Sequence, residues 1–115
     1  MHIIAYQTIG SRQRLDELYG SRWVYIGRTC RDFPQGSPLH NPYRRQGQPR
    51  GSTLDDYRRH LYRQIRQGNP AILRALQSLS DDSVLVCWCP QPGPCHGHVV
   101  SQAWRWLIGQ TAGSQ

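Results

Sequence analysis

The chain has 115 residues, 37% of them hydrophobic, which leaves room for one hydrophobic core and excludes a disordered chain. Fourteen arginines and no lysine stand against seven acids, for a formal net charge of +7. Arginine excess follows from GC-rich coding, but it also fits an anionic partner, nucleic acid or a phosphorylated small molecule, because guanidinium meets phosphate in a flat two-point geometry.

In chain order, His2–Gln7 is a short apolar run that reads as a first strand. Ser11–Tyr19 carries a cap-type Ser11, apolar Leu15, Leu18 and Tyr19, and a stop at Gly20, so it reads as a short helix. Arg22–Arg28, aromatic and β-branched in its middle, is the next strand. From Thr29 to Gly51 the chain is rich in Pro, Gly, Gln and Arg without periodicity, and loops of that length usually serve function or move. Ser52 or Thr53 then caps a helix with Asp55 and Asp56 in its first turn and a stripe of Leu54, Tyr57, Leu61 and Ile65. Gly68-Asn69 ends it, and Pro70 opens a second helix to about Leu79. Val84–Cys89 is the continuous apolar run of a central strand covered on both faces. After a Pro/Gly loop, His96 to about Leu107 is helical, and Gln110–Gln115 reads as a flexible tail. The order predicts one α/β domain over residues 1–109, a small layered sheet, at least partly parallel, with helices packed on it.

The chemistry concentrates in Cys87-Trp88-Cys89 and Cys95-His96-Gly97-His98. In a strand, Cys87 and Cys89 point one way and Trp88 the other. Cys95 and His96 open the following helix, whose N-terminus suits an anion or a thiolate, and the carboxyl edge of an open α/β sheet is where ligands usually bind. Three readings stay open. Cys95 is a low-pKa nucleophile with His96 or His98 as general base; or Cys87, Cys89, Cys95 and His96, with Cys30 as a further candidate, hold zinc; or the cysteines are strand core. No signal peptide precedes the cluster and no apolar run approaches a membrane span, so the thiols read as reduced, the location as cytoplasmic and membranes as no partner.

A second motif joins Ile26-Gly27-Arg28 to Ser37-Pro38-Leu39-His40-Asn41-Pro42-Tyr43. Two prolines hold Asn41 extended, which pre-orients Ser37, His40 or Asn41 toward a ligand, with Arg28 leaving the strand end beside them; the alternative is a rigid polar turn. Tyr25-Ile26-Gly27-Arg28, the Ser-Pro-Leu-x-Asn-Pro-Tyr loop, Tyr57 and Leu61 on a helix, and the Leu-x-Cys-Trp-Cys strand with Pro-Cys-His-Gly together resemble the bacterial and phage family called domain of unknown function 4326, over about Trp23 to Ala103. The resemblance implies a compact α/β fold, a site shared by the two motifs, and no established activity. Where the family loop usually has Gly this chain has His40, so the backbone there cannot need a positive φ; where the family commonly has an acid after Cys-His-Gly this chain has His98.

Arg59, Arg63 and Arg66 share a face of the Tyr57–Gln67 helix, and with Arg44 and Arg45 in the long loop they make either a solvated face or a phosphate-contacting surface. The leading expectation is a small nucleotide- or nucleic-acid-directed enzyme: Arg28 and the N–H groups around His96 hold the substrate phosphate, Cys95 or His96 reacts, and Asn41 orients. The alternative is a non-enzymatic nucleic-acid-binding accessory module stapled by zinc at the Cys/His cluster. A third reading is an interaction protein that contacts a protein partner through the arginine surface and an exposed Trp.

Overall fold

Three short strands lie side by side and run the same way: β1 (His2–Ala5), β2 (Trp23–Tyr25) and β3 (Val84–Cys87), in the order β1-β3-β2. The computed structural model describes residues 1–44, 46–49, 51–89 and 93–113, with 110–113 described through their backbone alone. Ala5 is registered with Cys87, and Tyr25 with Val86, so the carboxyl ends of all three strands meet at one edge. The last strand in sequence is the central one, and every residue of it is buried.

Five helices complete the described chain: α1 (Tyr6–Ile9), α2 (Arg12–Tyr19), α3 (Leu54–Arg66), α4 (Pro70–Gln77) and α5 (His96–Gly113). The first strand is shorter than its apolar run because the chain turns at Ala5. Thr8 Oγ1 donates to the Ala5 carbonyl at 2.7 Å, Gly10 N–H closes onto Tyr6 O at 2.9 Å, and Tyr6 goes inward as the first residue of α1. Ser11 caps α2 by accepting from Arg14 N–H at 3.1 Å, and Gly20 ends it. Thr53 stands at the start of α3 without a side-chain cap bond, since its hydroxyl accepts from Asn41 instead. Asn69, expected only to end α3, also caps α4 by accepting from Ala71 N–H at 3.1 Å. β2 and β3 end at Tyr25 and Cys87, before the expected Arg28 and Cys89, although Ile26 N–H still reaches Val86 O at 2.9 Å. α5 continues past Leu107 to Gly113, so the backbone is helical through the first part of the expected tail; Ser114 and Gln115 lie outside the described residues.

Strand alternation divides the core between the two faces of the sheet. Leu85 and Cys87 join Tyr57, Leu61, Leu76, Val99, Val100 and Trp104 beneath α3, α4 and α5. Val86 joins Tyr6, Leu15, Tyr25 and Phe33 on the other face. Each fully buried leucine here stabilises the fold by roughly 1.5–3 kcal/mol. The long loop after β2 is anchored to both cores. Phe33 stacks on Tyr25 with ring centroids 3.8 Å apart, while Leu39 is buried and its carbonyl accepts from Tyr57 O–H at 2.6 Å. Among the described residues no helix is long and apolar enough to cross a membrane.

Candidate functional site

Two chain segments leave the carboxyl edge of the sheet side by side, one after β2 and one after β3, and between them opens a cleft of about 390 Å³. Gly27, Arg28, Asn41 and Thr53 line it from the first segment; Trp88, Cys89, Cys95 and His96 line it from the second. The β3–α5 corner keeps strand alternation beyond the last ladder residue. Cys87 faces the α3/α5 side, Trp88 faces Tyr6 and Tyr25, and Cys89 returns to the α3/α5 side. Gly27 is required where it stands, because a Cβ there would collide with the Tyr25 ring.

The three sulfurs of Cys87, Cys89 and Cys95 lie within 4.8 Å of one another, and Cys87 Sγ is 3.2 Å from Cys95 Sγ. Cys95 is 1% exposed and its sulfur accepts from Gly97 N–H at 3.3 Å, so it caps α5 from within. Cys89 is the more open of the three and lines the cleft. His96 is buried, with Nε2 donating to the Ile26 carbonyl at 2.6 Å. A carbonyl can only accept, so the proton belongs on Nε2, and the lone pair of the neutral ring is on Nδ1, 3.9 Å from Cys89 Sγ. This set can bind a soft cation or serve as a thiol–imidazole pair.

The electrostatics follow from the crowding. Hydrogen bonds from Cys87 and Cys95, with help from His96, hold the Cys89 thiol far below the ordinary thiol range, against its partial burial. The same contacts with Cys89 and Cys95, together with burial, push Cys87 up. Burial alone would lower His96, but its bonds to Cys89, Cys95 and the Ile26 carbonyl outweigh that and raise it to about 9. The surroundings thus favour the thiolate form at Cys89 and the imidazolium form at His96.

On the other side of the cleft Arg28 is aimed by two backbone carbonyls. Its Nε donates to Asn41 O and its Nη2 to Tyr43 O, both at 2.9 Å. None of the ion pairs among the described residues involves Arg28. Asn41 reaches the cleft, but its side chain is committed: Nδ2 donates to Thr53 Oγ1 at 3.0 Å and Oδ1 accepts from Tyr43 N–H at 2.9 Å. Ser37 and His40 do not line it. Ser37 Oγ accepts from Leu39 N–H at 3.0 Å, and His40 Nδ1 donates to Ser37 O at 2.8 Å, which closes the turn on itself. His40 is absent from the positive-φ residues, as a side chain in place of glycine requires.

The remaining expected site residues lie elsewhere. His98 is exposed and borders a separate hollow with His2, Ser101 and Arg105. Cys30 sits on the opposite sheet face, 3.8 Å from Tyr25 Oη, outside the sulfur group. Arg59 pairs with Asp56 at 2.9 Å, Arg63, Arg66 and Arg44 are exposed, and Arg45 lies outside the described residues. Trp88, named from the sequence only as part of the Cys87-Trp88-Cys89 motif and given no role there, lines the cleft. It is 43% exposed and its Nε1 donates to Tyr25 Oη at 2.9 Å, while Tyr25 O–H donates to Arg28 O at 2.6 Å, a chain that ties one corner to the other. The available signal was a tryptophan set between two cysteines at a strand end.

Comparison with known proteins places the sequence. The family described as "Domain of unknown function (DUF4326)" matches residues 11–106. None of the curated proteins matches the chain, and none of the solved structures does. With most of its length covered by that one match, the chain belongs to the DUF4326 family.

Proposed function

We propose that the protein is a small enzyme acting on a phosphorylated small molecule of the nucleotide class, bound in the cleft between the two strand-end corners. The observation that carries this reading is that Arg28 and the Cys89/His96 face line one cleft, of a size suited to such a ligand. Arg28 receives the phosphate with the guanidinium N–H groups that its two carbonyl contacts leave over. Cys89 and His96 form the reacting face in this reading, ahead of the sequence-based candidate Cys95, which lines the cleft but is 1% exposed and accepts from Gly97 N–H. The exposed face of Trp88 is placed to receive a planar base. The N–H groups expected to hold phosphate at the start of α5 are in part spent, Gly97 on Cys95 Sγ and His98 on Cys95 O.

The nucleic-acid surface reading has less support, because Asp55 and Asp56 sit within 3.4 Å and 2.9 Å of Arg58 and Arg59. Calorimetric titration separates the two. The cleft reading predicts saturable one-site binding of a nucleoside phosphate, weaker binding of the matching nucleoside, loss in Arg28→Ala, and no change in Arg59→Ala. Binding that survives Arg28→Ala but falls steeply with salt and with loss of Arg59, Arg63 and Arg66 would replace it with the surface reading.

A further inference from the structure

The Cys87, Cys89 and Cys95 cluster has more sulfur than ordinary packing accounts for. A buried cysteine behaving as a small hydrophobe packs against carbon. Here three thiols face one another, with every pair of sulfurs within 4.8 Å and one pair at 3.2 Å. Around a tetrahedral zinc with Zn–S bonds of ~2.3 Å, neighbouring sulfurs sit about 3.8 Å apart. The cluster therefore needs only a small opening of the Cys87–Cys95 pair to surround an ion.

Two independent features point to the same occupant. The first is His96, whose Nε2–H is held by the Ile26 carbonyl at 2.6 Å while Nδ1 faces Cys89. The same tether orients imidazoles that ligate metals, and here it holds Nδ1 at the edge of the sulfur group, beside the open fourth position. The second is the charge balance. Three thiolates around a divalent ion carry a net negative charge, and the surroundings answer it: Gly97 N–H bonds Cys95 Sγ, the N-terminus of α5 adds positive potential, and Arg28 lines the same cleft.

We propose that Cys87, Cys89 and Cys95 bind one soft divalent ion of the zinc class, with its fourth coordination position turned toward the cleft beside His96. Thiolates select zinc-class ions over magnesium or calcium, which prefer oxygen. Cys87 anchors the ion from the central strand, Cys95 from the start of α5, and Cys89 from the loop between them. The ion would thus tie strand to helix across the corner that forms one wall of the cleft. Ligand capture by Arg28 stands apart from this site, and each can fail without the other. A Cys89 sulfur bound to the ion, however, acts as its ligand, which leaves His96 and the open coordination position as the reacting face.

The test is metal stoichiometry on the reduced full-length protein, purified without chelator or a metal-affinity step and then offered zinc or cobalt alone. The expected result is about one ion per chain, masked thiols that become reactive when a chelator is added, and the intense thiolate-to-cobalt charge-transfer band of a tetrahedral site. Cys89→Ser, at the most open position, loses tight binding while retaining its circular dichroism. Cys30→Ser, on the other sheet face, keeps the full complement. A metal-free protein whose cluster thiols react without chelator overturns the proposal. So does a Cys87–Cys95 disulfide in place of the ion, or cobalt binding that survives Cys89→Ser unchanged. Nucleotide titration of the same samples reads the cleft separately.

Discussion

The two corners at the carboxyl edge of the sheet use polar residues in opposite ways. In the corner after β2, the Ser37–Asn41 turn looks rich in ligand contacts, yet its groups are consumed internally: Ser37 by Leu39, His40 by Ser37, and Asn41 by Thr53 and Tyr43. In the corner after β3, three sulfurs and an imidazole crowd against one another, while Cys87 Sγ also reaches the Ile4 carbonyl, Cys95 Sγ the Gly97 N–H and His96 Nε2 the Ile26 carbonyl. The first corner is scaffold that aims Arg28; the second brings sulfurs and an imidazole to the wall of the cleft. A polar, proline-stiffened loop marks a site through what it holds in place as much as through what it exposes.

Substitutions in the two corners have separable effects on stability and on binding. The largest effect belongs to Tyr57→Ala, which removes a fully buried ring and its bond to Leu39 O, the anchor of the first corner. It costs about 3–5 kcal/mol in urea unfolding, and a much smaller loss means the loop does not depend on α3. Gly27→Ala forces a Cβ toward the Tyr25 ring and costs roughly 1–3 kcal/mol, with ligand binding weakened because Tyr25 holds both Trp88 and Arg28. Ser37→Ala leaves the buried Leu39 N–H unpaired and costs about 1 kcal/mol while nucleotide titration stays unchanged. Lost binding without lost stability would make Ser37 a ligand contact and break the contrast. His98→Ala, pointing to the separate hollow, changes stability by less than about 0.5 kcal/mol and leaves metal content and ligand binding intact.

A smaller effect concerns pH on the opposite sheet face. Tyr6 O–H donates to Asp32 Oδ2 at 2.7 Å and, with Arg31 and Arg12 assisting, holds that carboxyl below its usual range. A depressed folded-state pKa contributes stability above the unfolded value near ~3.9 and loses it as pH falls toward the folded value. Asp32→Asn therefore flattens the acid side of the stability profile while the cleft's metal and ligand titrations at neutral pH stay as they were.

Much of the architecture was legible because local rules and tertiary packing agree. Val84–Cys87 reads as a strand covered on both faces and is one; the Leu54–Ile65 stripe reads as a buried helix face, and Tyr57, Leu61 and Ile65 are buried. The strand ends misled because the apolar runs continue past them: Tyr6 is apolar for its burial in α1, and Cys89 for its place in the cluster. The Cys/His corner was visible as a motif, and the structure gathers Cys87, Cys89, Cys95 and His96 as one group of neighbours. Which thiol meets the cleft depends on how α5 docks, with Gly97 pressed against Ile3 so that a Cβ would come within 3.1 Å. No spacing rule carries that contact. Nor could composition reveal that Asn41 is spent on Thr53, a bond that exists only once the long loop folds back onto α3.

If this protein meets its ligand in the cleft between the two corners, the amides that line it respond to that ligand. The most direct measurement is amide chemical-shift mapping of the isotope-labelled protein during titration with a nucleoside phosphate. The expected result is saturable shifts concentrated at Gly27, Arg28, Tyr43, Cys89 and Gly97, with little change at Arg59, Arg63 and Arg66. Shifts that instead follow the exposed arginines of α3 and leave the cleft untouched would contradict it.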